Sequence, residues 1–238
     1  MTEKNRSYLY QHGVLGSLMN DLMDGTEKIG QLLNYGDFGI GTLAGSNGEV
    51  IILDGIMYHA YQTGEIFQLT GEELTPYAAV TNFEKEKTFN LSNEQAVNVQ
   101  AIISEQISPN LFTAVKIEGA FSAMHVRVAP KQEKPYPRFI EIARHQPEFE
   151  QKNVSGTIVG FFTPKLFHGA AAAGFHLHFI SDDRSFGGHI LDFKLEDGQI
   201  MLHELEEFRQ HFPIDNQEYL ENEIDIDEIK EEIEESES

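Results

Sequence analysis

Two closely spaced dipeptides, Asn47-Gly48 and Asp54-Gly55, constrain this chain more than any other local feature. Asn-Gly and Asp-Gly accept the positive backbone angles of two-residue turns, so apolar runs on either side of them fold back as antiparallel strands. From Gly39 to Ala60 the chain consists of such runs, short and rich in Ile, Leu and Val. Three antiparallel strands are expected there, in a fold built on sheets.

The same reasoning extends along the chain. Val14, Leu15, Leu18 and Leu22, then Ile29, Leu32 and Leu33, predict two short amphipathic helices parted by Asp24-Gly25. Ser92 and Gln95 have the spacing of a capping box ahead of a helix that runs to about Ile107. Leu111 to Glu118 and Ala120 to Ala129 read as strands, followed by the proline-rich loop Pro130 to Pro137 and a short helix from Arg138 to Arg144. Further strands are expected at Gly156 to Phe162, Gly174 to Ile180, His189 to Leu195 and Gln199 to Leu205. The polar, aperiodic stretch Glu148 to Ser155 is the softest point in the chain. It suggests an N-terminal α/β half, residues 1–150, and a C-terminal β-rich half, residues 151–238. The expected class is mixed α and β, two packed sheet-containing halves with short helices.

Composition narrows the chemistry. With 238 residues, 40% of them hydrophobic, the chain can bury its core without a disulfide or a structural metal. It has no cysteine, so a transition metal must be held by His, Asp or Glu. A net charge of -22 repels nucleic acid and anionic membranes, and no basic patch offsets it. Met1 to Arg6 lack the apolar stretch of a secretory signal, and no run of about eighteen apolar residues occurs, so a cytoplasmic protein off the membrane is expected. Much of the acid follows Asp215, and such a run by itself reads as a solvated face or disorder. Yet Ile226, Ile229 and Ile233 recur at helical spacing, which predicts a short helix that docks on the body.

The most informative segment is Gly174 to Phe193. Strand alternation puts His176 and His178 on one face and Phe175, Leu177 and Phe179 on the other. After a turn-rich connection, His189 opens a second strand that can bring a third imidazole to the same place. Three neutral protein ligands with a position left open are the signature of a catalytic zinc site; the bland alternative is a partly exposed polar strand face. A second feature is Met124 to Val128, where Arg127 sits between apolar neighbours and can grip a carboxylate, or form a structural ion pair. Third, Thr42 and Glu49 flank the Asn47-Gly48 turn and are held close at one end of a sheet. His59, His125 and His168 read as supporting polar residues. These features fit a zinc hydrolase or hydratase equally well, and also a β-rich module that binds metal or an acidic metabolite.

Taken in order, Leu9-Tyr-Gln-His-Gly, Gly36-Asp-Phe-Gly-Ile-Gly-Thr-Leu43, Gly48-Glu-Val-Ile-Ile-Leu-Asp-Gly55, Met124-His-Val-Arg127, Val159-Gly-Phe-Phe-Thr-Pro164 and the His176-x-His178 to His189 segment resemble the acetolactate decarboxylase family from about Leu9 to the tail. The resemblance implies two packed domains and a homodimer, zinc (Zn2+) bound by His176, His178 and His189, and Arg127 on the substrate carboxylate. It also implies that Glu49, with Thr42 nearby, lies in the catalytic pocket, and that a tail glutamate joins it, Glu237 first and Glu235 next. The implied substrate is alpha-acetolactate, 2-hydroxy-2-methyl-3-oxobutanoate. Loss of carbon dioxide beside its ketone leaves an enediolate, which zinc stabilises as a Lewis acid. A buried glutamic acid then protonates one face to give a single hand of acetoin.

Overall fold

The computed structural model describes residues 6–225 and Ile233. In chain order the strands of the first part are β1 (Tyr8–His12), β2 (Glu27–Lys28), β3 (Phe38–Leu43), β4 (Asn47–Leu53), β5 (Ile56–Ala60), β6 (Ile66–Gln68), β7 (Leu74–Thr75) and β8 (Tyr77–Thr81). They are followed by β9 (Lys87–Gln95), β10 (Thr113–Arg127), β11 (Glu148–Thr163), β12 (Gly174–Ser181), β13 (Gly187–Glu204) and β14 (Glu207–His211). The helices are short: α1 (Leu15–Met19), α2 (Ala96–Gln106), α3 (Phe139–Ala143) and α4 (Gln217–Glu221). Ile29–Asn34 forms the second expected helix as a 3-10 turn. Among the described residues no helix is long and apolar enough to cross a membrane.

Two sheets face each other, as the mixed α and β class requires. The first runs β14-β1-β8-β3-β4-β5-β6, its central strands the expected antiparallel unit. Asp54 and Gly55, at φ 52° and 76°, make the two-residue turn between β4 and β5. The other turn is displaced from its expected place. β3 turns back through Ala44, Gly45 and Ser46, and Asn47-Gly48 already belongs to β4. There Gly41 pairs with Val50 and Leu43 with Asn47, so β4 carries one extra residue, a bulge formed around Gly48 at φ 69°. A Cβ on Gly48 would lie 2.2 Å from the Ala60 carbonyl oxygen and 2.4 Å from His59 Nε2, so only glycine fits.

The second sheet runs β10-β11-β12-β13-β9, and β10 also pairs with β13 along its length, which closes four strands into a ring. Its three long strands, β10, β11 and β13, depart from the sequence expectation. Leu111 to Glu118 and Ala120 to Ala129 are one strand, β10, and the last two expected strands are likewise one, β13. Gly119 lies opposite both Gly156 and Gly198, and a Cβ there would meet the Asp197 carbonyl oxygen at 2.4 Å, so the strands pass at this point without a break. Glu148 to Ser155 is the first half of β11, paired to β10 at every residue except Asn153, whose φ is 53°. Helix α2 starts after Gln95, with no side-chain cap; Ser92 Oγ instead donates to Asp197 Oδ2 at 2.8 Å.

Alternation sorts the core. Inside the ring, Phe121 packs edge-on against Phe179 and Phe193, with Leu177, Leu195 and Ile200 around them. Each such buried side chain contributes about 1.5–3 kcal/mol. Between the sheets, Phe38, Ile40, Ile51 and Leu53 meet Val159, Phe161 and Ile180. Position parity then places Thr42 on the same face of β3 as Phe38 and Ile40, and Glu49 on the same face of β4 as Ile51 and Leu53. A third cluster closes the end of this seam with Leu15, Leu18, Tyr77 and Phe139; Ile233, 1% exposed, packs into it. The single described residue of the predicted tail helix is therefore docked on the body. Ile226, Ile229, Glu235 and Glu237 lie outside the described residues.

Candidate active site

The geometry of the site follows from strand register. His178 pairs with His189 across β12 and β13, and His189 pairs with Arg127 across β13 and β10. Directly opposite residues point to the same face with Cβ atoms about 4.5–5.5 Å apart, so the three form one row, with His176 two residues along β12 on the same face. That face looks onto β3 and β4. The result is a cleft of about 420 Å³, including the part open to solvent, lined on one side by these four residues and on the other by Thr42, Ser46 and Glu49. Leu15, Leu18, Tyr77 and Phe139 supply its apolar wall.

Three polar groups of the cleft, Thr42, Glu49 and His178, are held from behind. Thr42 Oγ1 donates to the Gly48 carbonyl at 2.7 Å, and His59 Nε2 donates to the Asn47 carbonyl at 2.7 Å, which together brace the bulge. Gly48 N donates to the Ala129 carbonyl, and Ala129 N donates back to Glu49 Oε1 at 3.2 Å, so the carboxylate is tied to the chain just beyond Arg127. Glu49 Oε2 lies 3.4 Å from His178 Nε2. His178 Nδ1 donates to the Val50 carbonyl at 3.1 Å, a tautomer that leaves the Nε2 lone pair facing the cleft.

The donor set fits a metal ion. The ligand nitrogens of His176, His178 and His189 lie within 4.8 Å of one another, and His176 Nε2 is 3.2 Å from His178 Nε2. Two nitrogens held tetrahedrally at about 2.0–2.1 Å from zinc stand about 3.3 Å apart. Burial, and then the Arg127 charge, pushes the His176 imidazole down to about 3. His178 and His189 are held well below their ordinary value by the same burial, with neighbouring imidazoles and Arg127 adding to it. All three are therefore neutral near pH 7 with lone pairs available, the state a ligand requires.

The structure thus brings Thr42, Glu49, Arg127, His176, His178 and His189 into one cleft. His125 and His168 stay out of it: His125 Nε2 meets Glu148 at 2.8 Å on the surface, and His168 Nδ1 accepts from Ala173 N at 3.4 Å. The sequence pattern marked Leu15 and Leu18 only as the apolar face of a short helix and did not single out Ser46, Tyr77, Phe139 or Gln146, all of which line the cleft.

The sequence profile of the alpha-acetolactate decarboxylase family matches residues 9–226. The chain is similar to the alpha-acetolactate decarboxylase of Lactococcus lactis subsp. lactis, 42% identical over 230 residues that make up 94% of this chain and 96% of the relative. It is similar in structure to alpha-acetolactate decarboxylase from Bacillus subtilis, with a TM-score of 0.94 at 32% identity, covering 98% of this chain and 100% of that one. It is also similar to a Staphylococcus aureus protein described as of unknown function and similar to alpha-acetolactate decarboxylase, with a TM-score of 0.94 at 50% identity, covering 96% of this chain and 99% of that one. Both sheets and the cleft between them fall inside these matches, and the chain belongs to the alpha-acetolactate decarboxylase family.

Proposed function

We propose that this chain decarboxylates alpha-acetolactate to acetoin and carbon dioxide, with zinc held by His176, His178 and His189. The observation that carries the reading is the row Arg127, His189, His178 facing Glu49 across a small cleft, in a chain of this family. When bound, zinc supplies a Lewis acid toward the ketone and hydroxyl oxygens of the substrate. Arg127 takes the carboxylate by a two-pronged charged hydrogen bond and cannot readily give up its proton there. The bond between the carboxyl carbon and C2 breaks, and its electrons pass to the ketone oxygen. Glu49, fixed through Oε1 by Ala129, is the described carboxyl group placed to hand a proton to C2, and delivery from one side yields one hand of acetoin. Thr42 keeps Glu49 in place through its bond to Gly48. A tail glutamate, Glu237 or Glu235, is assigned to the same chemistry from the family resemblance alone, since both lie outside the described residues. The enzyme works in the cytoplasm as a homodimer.

The test is release of acetoin and carbon dioxide from racemic acetolactate by purified protein, before and after chelation and after zinc is restored. Zinc-restorable production supports reaction and metal together. No production by zinc-loaded protein overturns the proposal, and a zinc-dependent hydrolysis or hydration screen becomes the next experiment.

A further inference from the structure

We infer that Gln146 is a substrate-binding residue that reads the substrate's hydroxyl group, so that the pocket distinguishes a 2-hydroxy acid from its deoxy counterpart. The inference rests on the reading of the cleft as a site for such an acid. Gln146 lies between α3 and β11, and the next residue anchors it: the Pro147 carbonyl accepts from Val128 N at 3.2 Å, one residue beyond Arg127. Its side chain lines the same cleft as the three imidazoles. Its Oε1 is buried and meets no hydrogen-bond partner among the described residues. Buried polar atoms in folded proteins are nearly always paired, so an orphaned acceptor in a binding cleft marks a place where a ligand supplies the donor.

The surrounding groups already have partners: Thr42 Oγ1 on the Gly48 carbonyl, Glu49 Oε1 on Ala129 N, and His178 Nδ1 on the Val50 carbonyl. The substrate anion offers acceptors at its carboxylate and ketone and a single donor, the tertiary hydroxyl. An amide oxygen accepts, so of these groups it pairs with the hydroxyl. A site that uses a buried group to bind a hydroxyl rejects the analogue that lacks it, because the group is then left unpaired. Gln146 therefore adds to substrate choice without holding the metal.

The experiment titrates zinc-loaded wild type, Gln146→Met and Gln146→Leu with 2-hydroxyisobutyrate and with isobutyrate by calorimetry, and measures zinc content and steady-state decarboxylation alongside. Both variants keep similar volume and lose the acceptor. The expected result is a preference for the hydroxy acid that falls about tenfold in the variants, with the KM for acetolactate up about tenfold and kcat and zinc content near wild type. An unchanged preference and KM in either folded variant overturns the inference, and so does a loss of zinc, which would make Gln146 a support of the metal site. If wild type binds the hydroxy acid but releases no carbon dioxide from acetolactate, the decarboxylase reading fails while the titration still decides the role of Gln146.

Discussion

Ile233 is the fully buried residue through which the tail packs beside the cleft, with the partly buried Ile224 against the same cluster, and replacing it tests whether that attachment matters. The side chain is 1% exposed and packs into a cluster shared with Leu15, Leu18, Tyr77 and Phe139, which also form the apolar wall of the site. Ile233→Ala removes Cγ1, Cγ2 and Cδ1; at about 0.8 kcal/mol for each buried carbon group the loss is about 2.4 kcal/mol, before any cavity term adds to it. Because Ile233 belongs to a terminal segment, the loss falls on local docking, and the docked-to-undocked ratio drops about 60-fold. Cleavage near the C-terminus by a dilute protease follows the undocked population and should speed up by a similar factor. If docking carries a tail glutamate to the cleft, kcat falls with it while zinc content holds. Leu220→Ala, at a side chain 61% exposed, is the control and should change neither. Unchanged cleavage and unchanged kcat in Ile233→Ala would refute the reasoning.

His176→Ala should abolish stoichiometric zinc retention, measured by elemental analysis, together with activity; a variant that keeps its zinc removes His176 from the ligand set. Arg127→Ala should retain zinc but lower kcat/KM about a hundredfold or more, and Arg127→Lys should not restore it, since a lysine cannot make the two-pronged contact. His12, fully buried and bonded to His211 and Thr26, has its imidazole pushed down to about 4 by burial and then by the His211 charge. The unfolded chain therefore takes up that proton first. Stability is fully present above about pH 6.5 and is lost as pH falls toward 4, by about 3 kcal/mol. Urea midpoints between pH 7 and 4.5 should show a shallower loss for His12→Gln than for wild type, and parallel curves would count against the assignment.

What the sequence reveals about this site depends on range. His176 and His178 share a face because of strand alternation, which acts over two residues, and the pattern of phenylalanines between them is legible without a fold. Arg127 joins them only through the pairing of β10 with β13, a contact between residues far apart in the chain, so no local pattern announces it. The Asn47-Gly48 signal identified the hairpin yet misplaced its turn, because the glycine serves a bulge that turns Glu49 into line with Thr42. Ser92 and Gln95 matched a cap by spacing, but a cross-strand aspartate claimed the serine first. Gln146 and the apolar wall were invisible because nothing in their own neighbourhood differs from ordinary loop or helix.

The imidazole of His178 is bonded to a carbonyl of the opposite sheet. Its ring is a rivet through both layers, and the ligand geometry registers how well the layers are seated. A substitution in the seam that never touches a substrate, such as Val159→Ala, would then be met in the laboratory as a weak metal binder, visible in competition with a chelator before any loss of fold. Conversely, an ion that binds only the folded form raises its stability by mass action. On the proposed reading, zinc supply would set the stability of this fold as well as its rate of turnover.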